Sequence, residues 1–117
     1  MNLLSELSDR VTDVYGDRLA AVPQLTHDAL TISLLNGIQL QARFASPEEY
    51  SIDWRVGDCI WRIDTAPLHA GLASFPNHRH EPDQTVCADT LTKPGAPPWE
   101  NLSTVLASLV KQPFDSA

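Results

Sequence analysis

Three of the four histidines in the chain lie close together, between positions 69 and 80. They occur in two neighbouring segments, Asp64-Thr65-Ala66-Pro67-Leu68-His69 and Phe75-Pro76-Asn77-His78-Arg79-His80. In an extended backbone successive side chains point to opposite faces, so His78 and His80 would share one face and Arg79 would lie on the other. Two imidazoles on one face can serve as a general acid and a general base, or as two ligands of a metal ion.

One chemistry open to such a cluster is RNA cleavage without a metal ion. One imidazole would take the proton from a ribose 2′-hydroxyl, and a second would protonate the leaving 5′-oxygen. A guanidinium from Arg79, Arg62 or Arg55 would stabilise the charge that develops on the phosphate. The candidate catalytic residues are the clustered histidines, their neighbouring arginine and the aspartate that ends the preceding strand: His69, His78, His80, Arg79 and Asp64.

A second chemistry is metal binding. His69, His78 and His80 with Asp64 would give zinc three nitrogen ligands and one oxygen ligand, although His-x-His spacing alone is a weak metal signal. A third interpretation is purely structural, with the histidines capping backbone groups in an exposed loop. His27 stands apart from the cluster and is expected to be a surface residue.

The sequence lacks the motifs that mark several other kinds of active site. The sequence has no GxSxG nucleophile elbow, no P-loop and no GxGxxG, so serine nucleophiles and nucleotide cofactors are not favoured. Cys59 and Cys87 have no CxxC spacing and no distinctive catalytic context. Two isolated thiols in a small chain predict reduced, packed cysteines rather than a disulfide framework.

Length and composition place the chain among small intracellular proteins. Its 117 residues, 43% hydrophobic and 20% charged, predict one α+β domain spanning 1–117. The net charge of −7 argues against a broad nucleic-acid surface, but it does not exclude a small pocket that binds a phosphodiester locally. An acidic exterior suits a basic protein partner, although simple solubility is the favoured interpretation. The first residues do not resemble a signal peptide, and no apolar run approaches the ~20 residues of a membrane span. We therefore expect a cytoplasmic protein.

Helices are predicted at both ends of the chain. Near the start, apolar residues recur at spacings of three and four, at Leu3, Leu4, Leu7, Val11 and Val14. Near the end, Pro98 suits the first turn of a helix, and a similar apolar stripe follows at Leu102, Val105, Leu106, Leu109 and Val110.

Two hairpins are predicted between the helices. The alternation in residues 30–34 and 38–44 favours a three-residue loop ending at Gly37, which pairs Ile32 with Leu40. Residues 50–56 and 59–64 suit a two-residue turn at Gly57-Asp58. A short strand is expected at 85–87 within an otherwise irregular stretch, residues 65–95. The predicted fold is a mostly antiparallel meander of four or five strands packed against an N-terminal and a C-terminal helix.

These motifs resemble the TumE-like toxin family, small bacterial and archaeal proteins proposed as toxins of type II toxin–antitoxin systems. The resemblance lies in Asp-x-Ala-Pro-x-His, then Phe-Pro-x-His-Arg-His, then a C-terminal helix, and it covers Tyr50–His69, Phe75–His80 and Trp99–Val110. Three positions depart from the family pattern: Thr65 replaces an asparagine, and Leu68 and Asn77 replace histidines.

The resemblance implies a toxin with a helix-turn-helix antitoxin as its partner. Combined with the residues, it favours a metal-independent ribonuclease that needs no cofactor. His78 and His80 would be the acid–base pair, with His69 as an alternative partner, and Arg79 would stabilise the phosphate. The alternative is a non-enzymatic regulatory or interaction module whose histidine-bearing loop binds zinc or a protein partner.

Overall fold

In the computed structural model, which describes residues 2–112, the fold is a seven-stranded antiparallel sheet with two helices. The helices are α1 (Leu3–Tyr15) and α2 (Pro98–Leu109), and a 3-10 turn (Gly16–Arg18) follows α1. The strands are β1 (Gln24–Leu25), β2 (Leu30–Ser33), β3 (Gln39–Ser46), β4 (Glu49–Val56), β5 (Cys59–Asp64), β6 (His78–His80) and β7 (Val86–Cys87). Strand order in the sheet follows the chain, which confirms the α+β meander.

The strand count exceeds the expected four or five. Both edge strands, β1 and β7, contain only two residues, which is too short to show a period-two pattern. The His78–His80 segment is extended and joins the sheet as β6, between β5 and β7.

Both predicted helices are present. In α1, Leu7 and Val11 are buried, and the side chain of Asn2 caps the helix by accepting a hydrogen bond from the Ser5 N–H at 2.8 Å. Val14 was expected in the buried stripe, but in the last turn of α1 it is 56% exposed. In α2, Pro98 is the first helical residue, as predicted.

Both predicted hairpins have the expected register. Ile32 pairs with Leu40, and Gly37 has a positive φ of 92°, as the three-residue loop requires. Trp54 pairs with Trp61 across the two-residue turn at Gly57-Asp58. The pairings of β2 with β3 and of β4 with β5 therefore follow directly from the sequence pattern.

The two faces of the sheet differ in character. One face packs against both helices and forms the core with residues such as Ile32, Leu40, Ile52 and Ile63. The other, which we call the polar face, carries hydrophilic side chains from four central strands: Gln39, Gln41, Arg43, Glu49, Ser51, Asp53, Arg55, Arg62, Asp64, His78 and His80.

The cysteines are both free, as expected. Cys59 was expected to be packed, but it is exposed because it begins β5 at the hairpin turn, whereas Cys87 is half-buried. Within residues 2–112 no helix has the length and apolar character that a bilayer crossing requires.

Candidate functional site

The pairing of β5 with β6 brings the predicted site residues together. Asp64 lies opposite His78, and Arg62 lies opposite His80. All four side chains therefore belong to the polar face. Arg79 lies opposite Ile63, on the face that packs towards the helices.

Asp64 is the centre of the cluster. Its Oδ1 lies 2.8 Å from Nε2 of His78, and its Oδ2 lies 3.4 Å from Nε2 of His80. Arg62 donates from Nε to Oδ2 at 3.2 Å, and the backbone N–H of Ala66 donates to Oδ1 at 3.1 Å. One carboxylate thus contacts two imidazoles and one guanidinium.

His69 comes to the same cluster from the loop after β5. Its ring centroid lies 4.7 Å from that of His78 and 6.3 Å from that of His80, in edge-on geometry. The rings of His78 and His80 are 4.7 Å apart. The structure therefore brings all three predicted histidines together, whereas His27 is exposed and distant in the fold, as expected.

The three imidazoles differ in how deeply they are buried. The side chain of His78 is only 1% exposed, whereas that of His80 is 37% exposed and His69 is half-buried. Nδ1 of His78 lies 3.2 Å from the carbonyl oxygen of Pro76. Its Nε2 is close to Asp64 but lacks hydrogen-bond geometry to that carboxylate, so this buried nitrogen has no directed partner among the described residues.

Arg79 is not part of the histidine cluster. Its guanidinium lies over the ring of Trp54, 5.6 Å from the ring centroid, and its Nε is 3.3 Å from Oε1 of Glu81. The guanidinium beside the imidazoles belongs to Arg62, whose side chain is 50% exposed.

An open pocket adjoins Asp64 on the polar face. Its volume is about 350 Å³, and its lining includes Arg43, Ser51, Arg62 and Asp64. Polar groups of both charges therefore surround a space that a small polar ligand or part of a larger one can enter.

A buried polar network lies behind the cluster, and sequence reasoning did not find it. The amide Nδ2 of Asn77 donates to Oδ2 of Asp89 at 2.8 Å and also lies within hydrogen-bond distance of the hydroxyl groups of Tyr50 and Thr92. Asn77 is 1% exposed and Asp89 is 6% exposed. This network fixes the residue that immediately precedes His78.

Tyr50 belongs to that network. Burial raises the pKa of its hydroxyl, while hydrogen bonds with Thr92 and Asn77 act in the opposite direction. The only sequence signal for the network was that asparagine occupies position 77, where the related pattern has histidine.

The cluster also contains possible metal ligands. Among the described residues, one donor atom from each of Asp64, His78 and His80 lies within 4.8 Å of the others. Two imidazole nitrogens and a carboxylate oxygen match the donor types that zinc prefers, and His69 is adjacent.

Comparison with known protein families gives a match over most of the chain. A family model described as "Toxin TumE" matches residues 3–112, which is nearly the whole chain. No curated protein and no solved structure matches the chain.

Proposed function

The chain belongs to the TumE toxin family, and from this premise we propose that it is a toxin that cleaves RNA by histidine acid–base catalysis without a metal ion. Membership of the family supports the toxin role and implies an antitoxin. We propose a helix-turn-helix antitoxin in the cytoplasm as that partner. A basic surface on such a protein would complement a chain of net charge −7.

The observation that carries the ribonuclease proposal is the convergence of histidines, a carboxylate and a guanidinium on one open face. His80 and Arg62 both contact Oδ2 of Asp64, and both side chains are accessible to solvent. His69 lies beside them. Metal-independent cleavage of RNA is accelerated by two proton-transfer groups and a cation that stabilises the phosphate, and all three are present here.

The accessible imidazoles are the best candidates for proton transfer. His80 would take the proton from the ribose 2′-hydroxyl, because the Asp64 carboxylate beside it stabilises the imidazolium that forms. The 2′-oxygen then forms a bond to phosphorus, and the bond from phosphorus to the 5′-oxygen breaks. His69 would give its proton to that leaving oxygen, which yields a 2′,3′-cyclic phosphate and a free 5′-hydroxyl.

His78 is assigned a positioning role. With 1% exposure it cannot reach a substrate, so His69 is favoured over His78 as the partner of His80. His78 instead supports Asp64, which holds both His80 and Arg62. Arg62 would stabilise the charge on the phosphate during the reaction.

The proposal is tested by expression in a bacterial host and by an RNA cleavage assay with purified protein in EDTA. The wild type is expected to arrest growth and to cleave RNA with the chelator present. A His69→Ala, His80→Ala double variant should lose both effects, whereas His27→Ala should keep both, because His27 is remote and exposed. Cleavage retained by the double variant at equal protein concentration would refute the mechanism.

A second function is supported by one specific observation. The buried Nε2 of His78 lacks a directed partner and lies with donors of Asp64 and His80. In this alternative the protein is a non-enzymatic module in which these residues bind zinc. Zinc titration should then show binding to the wild type and a higher unfolding temperature, both lost in His78→Ala. No uptake, and no change in stability on adding chelator, would exclude this alternative.

A further inference from the structure

Beyond the histidine cluster, the polar face shows an ordered pattern of charges. One row across the sheet contains Gln41, Asp53, Arg62 and His80, each opposite the next on neighbouring strands. Asp53 therefore lies directly opposite Arg62, one strand further from the histidines. The register of the β4–β5 hairpin, which places Asp53 opposite Arg62, was already evident in the sequence.

Three arginines surround the carboxylate of Asp53. Nη1 of Arg43 lies 3.5 Å from Oδ2 of Asp53, Arg62 is its cross-strand partner, and Arg55 follows it by two residues on the same face of β4. The side chains of Arg43 and Arg62 are 40% and 50% exposed, and Arg55 is also exposed. An anion from solution can therefore reach all three guanidiniums.

We propose that Arg43 and Arg55, which lie next to Arg62, bind RNA phosphate groups adjacent to the scissile phosphate, and that Asp53 occupies this subsite as an internal anion in the free protein. This inference rests on the proposed ribonuclease function and extends it to substrate binding. From β6 to β3 the face spans three strand spacings, roughly 14 Å, so it extends well beyond the scissile phosphate.

The charge distribution supports this path for RNA. The polar face holds three arginines and three carboxylates, those of Glu49, Asp53 and Asp64, and so has no net charge with histidines neutral. The full net charge of −7 is carried by the rest of the chain. Phosphate is therefore repelled less on the polar face than, on average, over the rest of the chain.

The charge of Asp53 can be tested by replacing the residue with asparagine. Burial raises the pKa of Asp53, and Arg43, Arg62 and Arg55 act in the opposite direction. Asparagine keeps the size of the Asp53 side chain and removes its charge, so it would leave the guanidiniums without this competing anion.

The test measures binding of a mixed-sequence, fully 2′-O-methylated RNA oligonucleotide by fluorescence anisotropy over a range of salt concentrations. This probe lacks a free 2′-hydroxyl, so binding is measured without cleavage. Arg43→Ala and Arg55→Ala should each raise Kd about tenfold, the effect of one lost charge-assisted hydrogen bond. Each should also reduce the slope of log K against log salt by about 0.7.

Asp53→Asn should lower Kd, by about fivefold, because a competing charge is removed. Matched controls change the same charges elsewhere. Lys111→Ala removes an exposed cation after α2, and Asp13→Asn removes an exposed carboxylate from α1. The gain in affinity expected for Asp53→Asn cannot result from misfolding, so this variant keeps the test valid if an arginine variant folds poorly.

The outcomes separate this inference from the proposed function. If Arg43→Ala and Arg55→Ala bind like Lys111→Ala, or if Asp53→Asn does not bind more tightly than Asp13→Asn, the phosphate subsite is refuted even when the wild type cleaves RNA. If the wild type does not cleave RNA but the variants change binding as expected, the subsite stands and the nuclease proposal fails.

Discussion

Asp64 and His78 face each other across the β5–β6 pairing, with Nε2 of His78 2.8 Å from Oδ1 of Asp64. β6 contains only three residues, so few backbone hydrogen bonds define its register. The side-chain contact of this pair therefore helps to place β6, and with it His80. One carboxylate therefore links the stability of the β5–β6 pairing to the geometry of the candidate site.

Asp64→Asn is expected to lower the free energy of unfolding by about 1–3 kcal/mol, because the charged partner of Arg62 and the two imidazoles is lost. Urea denaturation at neutral pH measures this change. Asp13→Asn, on the exposed surface of α1, is the matched control and should be close to neutral. Equal stability of the two variants would show that the Asp64 contacts contribute nothing to the fold.

Arg62 and Arg79 should differ in their effect on RNA cleavage. Arg62→Ala is expected to lower kcat/KM by about tenfold or more, because its guanidinium lies beside the histidines. Arg79→Ala should keep the wild-type kcat/KM per folded molecule, because Arg79 contacts Trp54 and Glu81 on the other face. An equal loss in both variants would contradict the assignment of Arg62 to the phosphate.

Much of the sheet could be predicted from the sequence, because the register of a hairpin and the face on which a strand residue lies depend on residues that are close together in the chain. Period-two alternation and turn glycines fixed the register of both hairpins, and the spacing of His78 and His80 predicted their common face. The same spacing placed Arg79 on the opposite face, away from the imidazoles. Residues two apart on a strand need no tertiary information.

Other features depend on contacts between distant parts of the chain. Which imidazole is buried depends on how the loop after β5 returns to the sheet, and local patterns do not encode that path. The bonds from Asn77 to Tyr50 and Asp89 join residues separated by 27 and 12 positions. Such long-range polar contacts leave no periodic signal, so the support behind His78 could not be foreseen.

Asn77→Ala is expected to lower the free energy of unfolding by about 2–3 kcal/mol, because it leaves the buried carboxylate of Asp89 without the amide donor. Asn77→Asp keeps the size of the side chain but places a second carboxylate beside Asp89, and it should destabilise at least as much. Chemical denaturation compares both variants with the wild type. A change below about 0.5 kcal/mol for Asn77→Ala would show that the network is not a significant part of the fold.

Tyr50 should make the free energy of unfolding depend on pH in the alkaline range. Burial raises the pKa of its hydroxyl in the folded chain above the ordinary value of about 10 that the unfolded chain retains. The folded state thus holds this proton more tightly than the unfolded state. The resulting contribution to stability is complete below pH 10 or so and is lost as the pH rises through the folded-state value.

Urea denaturation of the wild type and Tyr50→Phe, from about pH 8 to about pH 11, tests this expectation. At pH 8 Tyr50→Phe should already be less stable by about 1 kcal/mol, because the 2.7 Å hydrogen bond to Thr92 is lost. The difference in the free energy of unfolding between the wild type and Tyr50→Phe should become smaller as the pH rises above 10, because only the wild type carries the Tyr50 hydroxyl. Tyr15→Phe retains Tyr50, so its free energy of unfolding should change with pH as that of the wild type does. Parallel curves for the wild type and Tyr50→Phe would show that the hydroxyl titrates equally in the folded and unfolded chains.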